Sequence, residues 1–356
     1  MNFLESVFDK LRAHPKRVVF PDSRDWRVLQ AAARYVEHGL GVAVLLGNPD
    51  EVREAARAAS VSMRRMLVID PAEADDVPYF TRQLGRMNRY HGISEEEARA
   101  IVTRPNYFGA LMIQNGQADA LVGGATASSG SILRPLFQII RPLKGVKSIS
   151  SCLVMELPDD RYGDEGVFIF ADCGVIPQPS VDQLGSIAIE AAKICRQFGR
   201  VKPKVAMLSY STKGSATTPD TEKIVAATEL AREYFMDHNM DVDIDGELQV
   251  DTALLSAVGE RKAADGPVSG QANVLVFPDL NSGNIAAKLV HRLANAKAYG
   301  QILMGLEKPA AELSRGASVE EIVGVAAIVG LQCINYRMLY QDQGVRYKSA
   351  LLPQEE

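Results

Sequence analysis

The stretch Lys204-Val205-Ala206-Met207-Leu208-Ser209-Tyr210-Ser211-Thr212-Lys213-Gly214-Ser215-Ala216 decides the fold class. It opens as a short apolar run and breaks into a polar loop. A helix-length segment, 220–237, comes next. Strand, polar loop and helix in that order form one unit of an α/β fold. The unit recurs along the chain. Strands are expected at 17–20, 42–46, 66–69, 120–122, 150–156, 166–171, 204–210, 244–249, 274–278 and 301–305. Helices are expected at 26–39, 181–198, 220–237 and 284–299. Many of the strands are continuous Val/Ile/Leu runs, the pattern of a largely parallel sheet buried on both faces. Residues 150–156 and 166–171 run close together with a polar turn at 158–163, which predicts an antiparallel hairpin where one domain hands over to another.

With 356 residues the chain has room for two domains. Its 47% hydrophobic and 23% charged residues exclude a disordered chain. A net charge of −5 argues against a basic surface for nucleic acid, but leaves room for a local anion pocket. The longest strongly apolar stretch, 322–331, is ten residues, too short to span a bilayer. Phe3, Leu4, Val7, Phe8 and Leu11 recur at helical spacing, so the first residues read as an amphipathic helix and not as a signal peptide. Cys152, Cys173, Cys195 and Cys333 are far apart and read as reduced, buried thiols of a cytoplasmic protein. Residues after Tyr340 read as a loosely held tail.

No phosphate loop of the Gly-x-x-x-x-Gly-Lys-Ser/Thr type is present, nor a dinucleotide fingerprint, a His-Glu-x-x-His or a Gly-x-Ser-x-Gly elbow. Five segments after apolar runs carry the candidate chemistry. Gly123–Gly130, with Ser128, suits an anion near backbone N–H groups or a helix cap, and Arg134 lies just beyond it. Ser211 and Lys213 suit a phosphate or a carboxylate, or a polar capping loop. Asp245, Glu247 and Gln249 share a strand face, where they serve a metal or, as preferred here, a hydrogen-bonded strand end. Asn281 or Ser282 caps a helix, or Asn281 binds substrate. Finally, Ser314 and Arg315, whose fork suits a phosphate, precede Ser318-x-x-Glu321, whose spacing is that of a capping box, so that spacing alone favours a structural Glu321 over a catalytic one.

LSYSTKGSA (208–216), DGELQV (245–250), ANVLVFPDLNSGNI (272–285), AYGQILMG (298–305), LSRGASVEEIV (313–323) and GGATASSGSILRP (123–135) together resemble the phosphate acetyltransferase family. The resemblance implies two three-layer α/β/α domains of the isocitrate/isopropylmalate-dehydrogenase-like fold with a cleft between them. Domain I would comprise 1–148 and 302–356, and domain II 149–301. It implies reversible transfer of acetyl between coenzyme A and phosphate, in a homodimer. CoA is then a substrate, with no tightly bound cofactor and no metal. On this resemblance Ser314 hydrogen-bonds the reacting group, Arg315 holds phosphate, and Glu321 stands at the general base, where the usual residue is Asp. Arg134 matches a CoA-binding arginine. A second such position falls on Asn88, with Arg86 and Arg89 beside it.

These parts support direct attack. The carboxylate takes the CoA thiol proton, the thiolate attacks acetyl phosphate, and Arg315 neutralises the leaving phosphate. No acetyl-enzyme is needed, so the cysteines read as structural. Two other functions fit the same resemblance: a phosphate butyryltransferase, and a non-catalytic acyl-CoA-sensing regulatory domain. A nicotinamide-dependent dehydrogenase on the same fold would need a metal carboxylate cluster, at which only 245–251 hints.

Overall fold

The computed structural model describes residues 3–199 and 201–339, with side chains up to Ile334. The tail read after Tyr340 lies outside the described residues. The strands are β1 Lys16–Phe20, β2 Gly41–Leu46, β3 Met66–Ile69, β4 Ala120–Gly123, β5 Ser150–Glu156, β6 Val167–Ala171, β7 Lys204–Leu208, β8 Asp243–Leu248, β9 Val274–Val276, β10 Lys297–Met304 and β11 Ala310–Glu312. They form one sheet in the order β3-β2-β1-β4-β11-β10-β5-β6-β9-β7-β8. Pairing is parallel from β3 to β11 and from β6 to β8. The middle of the sheet, β11-β10-β5-β6, is antiparallel. Helices flank this sheet, and the α/β class read from strand–helix alternation is the one observed.

The expected hairpin is present: β5 pairs antiparallel with β6 from Cys152↔Ala171 to Glu156↔Val167. One helix is misplaced in the sequence reading. The expected 284–299 is observed as Leu280–Leu293, and residues from Lys297 belong to β10. Ala-Lys-Ala-Tyr has fair helix propensity, but Asn295 adopts φ 52 and breaks the helix, and pairing with β5 claims the residues beyond it. β11 escaped notice because three residues carry almost no pattern.

The helix Val319–Leu339 is apolar on all sides through Leu331 and is correspondingly buried, from Ile322 to Leu331. It packs against the helices Trp26–Glu37 and Phe3–Ala13, the latter being the amphipathic opening helix expected from its spacing. Gly324 lets it approach β10, for a Cβ there would overlap the ring of Tyr299. Tyr299 has no room to retreat: it is fully buried and its hydroxyl donates to Glu156 Oε2 at 2.7 Å. Cys152, Cys173 and Cys195 are buried free thiols, whereas Cys333 is a free thiol only partly buried. Burial pushes the Cys195 thiol up to about 12, and Cys173 well above the ordinary range. Gly324→Ala is expected to cost about 1–3 kcal/mol through overpacking, read as a lower denaturation midpoint at unchanged slope.

Candidate active site

Strand β1 is followed by Pro21-Asp22-Ser23-Arg24-Asp25, and this short turn, with Arg27 just after it, organises two loops far away in sequence. The Asp22 carboxylate accepts from the N–H groups of Gly124 (2.8 Å), Ala125 (3.2 Å) and Thr126 (3.2 Å), and from the Thr126 hydroxyl. The backbone donors that suited an anion in the Gly123–Gly130 loop are therefore largely taken by the protein's own carboxylate. Arg27 does the reverse for carbonyls. Its guanidinium donates to the oxygens of Arg315 (2.7 Å), Ala317 (3.0 Å) and Ala125 (3.1 Å). Asp25 pairs with it at 2.8 Å and caps the helix Trp26–Glu37 through the Arg27 N–H. The 314–318 loop and the 123–130 loop are thus held together by one side chain.

A cavity of about 230 Å³ opens beside them, lined by Ser129, Glu312, Ser314, Arg315 and Glu321, with Asn284, Lys288, His291 and Gln301 opposite. Glu321 is only 7% exposed. Its Oε2 accepts from the Ser318 N–H at 2.8 Å, and the Ser318 hydroxyl accepts from the Glu321 N–H at 3.2 Å. The capping box read from spacing is therefore formed, and the same carboxylate still lines the cavity. Its Oε1 accepts from the Ala298 N–H at 3.2 Å and lies 3.0 Å from His291 Nε2. Arg315 makes no ion pair among the described residues, which leaves its guanidinium available to an anion. Burial raises the Glu312 carboxyl, partly offset by a hydrogen bond from Ser129.

The far wall owes its shape to a bulge. Tyr299 pairs with Val154 and Ile302 with Cys152, so three steps along β10 match two along β5. The displaced Gln301 meets Ser151 Oγ at 2.9 Å and donates to the Cys173 carbonyl at 3.3 Å, and Asn284 donates to that same carbonyl at 3.0 Å.

A larger groove of about 1340 Å³ adjoins the cavity, the two sharing Ala127. It runs along the carboxyl ends of β1, β2 and β3 and the start of the helix Ser129–Ile139, where open α/β sheets bind ligands. Arg134 and Arg104 line it, and neither makes an ion pair among the described residues. Ser128 is the exposed N-cap residue of the helix Ser129–Ile139 and lines neither space.

Other sequence candidates lie elsewhere. Ser211 is fully buried and donates to Glu247 Oε1 at 2.8 Å, and Lys213 pairs with Asp245. The 208–216 loop and the β8 end are thus zipped to each other, which is the hydrogen-bonded strand end preferred from the sequence. Asn281 is exposed in the first turn of the helix Leu280–Leu293, whose cap is Asp279 and neither Asn281 nor Ser282. Asn88 and Arg89 form a short turn with Tyr90, and Arg89 donates to the Phe137 carbonyl at 3.4 Å. Sequence reading missed Arg27, Glu312, Gln301 and His291. Only Arg27 carried a signal, standing just after a capping Asp at the end of a strand.

The fold and the cavity define an α/β protein with a candidate small-molecule site. The family described as phosphate acetyl/butaryl transferase matches residues 2–330. The chain is 42% identical over 332 residues to the phosphate acetyltransferase of Acetivibrio thermocellus, covering 93% of this chain and 98% of that one. A phosphotransacetylase from Streptococcus pyogenes is 36% identical with a TM-score of 0.85, covering 94% of this chain and 98% of that one. A proposed 4-hydroxythreonine-4-phosphate dehydrogenase from Salmonella typhimurium shares the fold alone, with 12% identity and a TM-score of 0.50 over 92% of this chain and 99% of that one. This chain belongs to the phosphate acetyl/butaryl transferase family.

The geometry leads to two expected outcomes. Arg27→Lys keeps a charge but loses the three-way fork, so turnover should fall by on the order of 10²-fold while helix content stays unchanged by circular dichroism. For Glu312 the raised folded value means that its ionised form costs stability above the ordinary value of 4.5. Glu312→Gln should raise the thermal midpoint at pH 8, and the gain should fade as pH falls from the raised folded value toward 4.5 and be gone below it, checked by unfolding scans at pH 8 and pH 4.

Proposed function

We propose that the chain is a phosphate acetyltransferase, interconverting acetyl-CoA and phosphate with acetyl phosphate and CoA. The observation that carries this reading is the convergence of Ser314, Arg315 and Glu321 on one small cavity, beside a groove of about 1340 Å³ with room for a nucleotide-bearing substrate. Arg134 serves the CoA side of the groove, and Ser128 supports it from the N-cap of the helix that carries it. Arg315 holds the phosphoryl group, Ser314 supports the reacting centre, and Glu321 drives removal of the thiol proton. Ser211 and Lys213 support the site from a distance by ordering the loop after β7, and Asn281 stands at the start of the helix that walls the cavity. Reaction is by direct attack in a ternary complex. The raised Cys173 thiol beside the cavity supports this, since a thiol held protonated is a poor acyl acceptor.

The cavity draws Ala127, Ser129 and Glu312–Val325 from one side, and Leu153, Cys173, Gly174 and Asn284–Ala298 from the other. This supports the division into 1–148 with 302–356 and 149–301, with the site between them. Ile285, Leu289 and Leu293 form an exposed apolar stripe along one helix, which supports a homodimer. No described helix is long and apolar enough to cross a membrane, and the free thiols suit the cytoplasm.

The deciding assay is phosphate-dependent release of CoA from acetyl-CoA, measured with a thiol reagent. Native turnover is expected with acetyl-CoA above that with butyryl-CoA. Glu321→Gln should lower kcat by roughly 10²- to 10⁴-fold. Arg134→Ala should raise the KM for CoA with kcat little changed. Absence of native turnover with either thioester, acetyl-CoA still binding, would leave a sensor and overturn the enzyme. Light scattering should give a dimer that Leu289→Asp weakens.

A further inference from the structure

The aim of a carboxylate is set by what holds its two oxygens. On Glu321 that task is divided between the two walls of the cavity. Oε2 accepts from the Ser318 N–H at 2.8 Å, within its own helix turn. Oε1 is held from across the cavity. The Ala298 N–H donates to it at 3.2 Å, and His291 Nε2 lies 3.0 Å away. Ala298 belongs to β10, and His291 to the last turn of the helix Leu280–Leu293. An ionised carboxylate has about four acceptor positions. Three are engaged here, and one, on Oε2, carries no donor among the described residues.

The three holds differ in kind. The Ser318 hold is part of the capping box and is local to one turn. The Ala298 hold is a backbone group of a strand paired with β5. His291 supplies the side-chain hold, and it lines the cavity with Lys288 and Asn284 one and two turns earlier on the same helix. Lys288 and Arg292, the cations on either side of it, make no ion pair with Glu321 among the described residues, and Arg292 lies against Gly316.

We propose that His291 is a positioning residue for the carboxylate that receives the thiol proton. Donating from Nε2, the imidazole pins Glu321 Oε1 to the opposite wall and fixes the aim of the group. The inference rests on the acetyl-transfer reading and deepens it: Glu321 remains the base, and His291 acts through it. In the direction that makes acetyl-CoA, the thiol proton passes to the Glu321 carboxylate. The sulfur electron pair forms the S–C bond at the acetyl carbonyl. The C–O bond to phosphate then breaks, its pair staying on the phosphate oxygen, and the Glu321 carboxyl gives its proton to that phosphate. The imidazole keeps its Nε2 proton throughout. Without this donor, Oε1 retains only the longer hydrogen bond from Ala298. The last torsion of a Glu side chain is broad and roughly two-fold, so one lost hold lets the carboxylate swing. A displacement of about 1 Å at a reacting group costs on the order of 10²-fold in rate.

Two substitutions separate donation from bulk. His291→Ala removes the donor. His291→Gln restores one on an amide, which cannot carry a proton. In acetyl-CoA formation from acetyl phosphate and CoA, H291A should lose roughly 10²-fold in kcat, with KM for both substrates little changed. H291Q should recover most of that loss. An H291A that is folded by circular dichroism and has native kcat overturns the assignment, as does an H291Q as slow as H291A; in both cases the transferase stands. Turnover absent from the native chain overturns the transferase reading itself, and this one with it. If H291A fails to fold, the tautomer in the native chain decides, read by NMR on protein labelled with nitrogen-15 at its histidines, the His291 signal being the one lost in H291Q. A proton on Nε2 whose resonance moves in Glu321→Gln supports the positioning role. An imidazole protonated on Nδ1 alone overturns it.

Discussion

Everything at the site leans on the guanidinium of Arg27. It is a single side chain on the first turn of a helix after β1, yet it binds carbonyls of two loops far apart in sequence, one around Ala125 and one around Arg315 and Ala317. Asp25 fixes its orientation and its charge, and the pair holds Arg27 above its ordinary basicity. Asp22, three residues earlier, performs the complementary task on backbone N–H groups of the 123–130 loop. Neither loop has regular structure to hold it, so the carbonyls and N–H groups would otherwise turn to water. One short turn supplies both an anion and a cation at the right spacing, and two irregular loops become a wall.

The opposite wall has a different origin. Here the chain returns as β10 between β5 and β11, the antiparallel centre of an otherwise parallel sheet. That return brings Ala298, Gly300 and Gln301 to the cavity, and the bulge turns Gln301 out of the ladder to meet Ser151 and the Cys173 carbonyl. Gly300 fits this place because its φ of +146 and the nearby Cys152 carbonyl exclude a side chain. The Ala298 N–H then reaches Glu321, so a strand of one half of the sheet fixes a carboxylate carried by a helix of the other.

Much of this was legible in the sequence because burial writes itself in apolar runs. β5, β6 and β7 stand where Val, Leu, Met, Ile and Phe cluster, and the buried helix is apolar from Ile322 to Leu331. Where burial was shared with pairing, pattern failed. Ala298 and Tyr299 look helical alone and became strand only because β5 lay alongside. At the site, Ser318 and Glu321 were legible as a local unit, since a capping box has a fixed spacing. The proximity of positions 291 and 321 was not, because it depends on how one helix crosses the end of another and leaves no period in the chain. The same holds for Lys213 with Asp245 and Ser211 with Glu247, a loop and a strand that meet through a charge pair and a hydroxyl.

The helix Leu280–Leu293 presents Asn284, Lys288 and His291 to the cavity, and Ile285, Leu289 and Leu293 on a second face to the outside. An α-helix is a stiff rod whose side-chain tips stand about 5–6 Å from its axis, so a roll of about 10° displaces every tip by roughly 1 Å. Any body that settles on the outer stripe therefore acts as a hand on a camshaft, and the groups on the inner face turn with it. Displacements of that size are what positioned chemistry tolerates least. Changes on the exterior of this rod, far from any reacting atom, thus register at the site as rate.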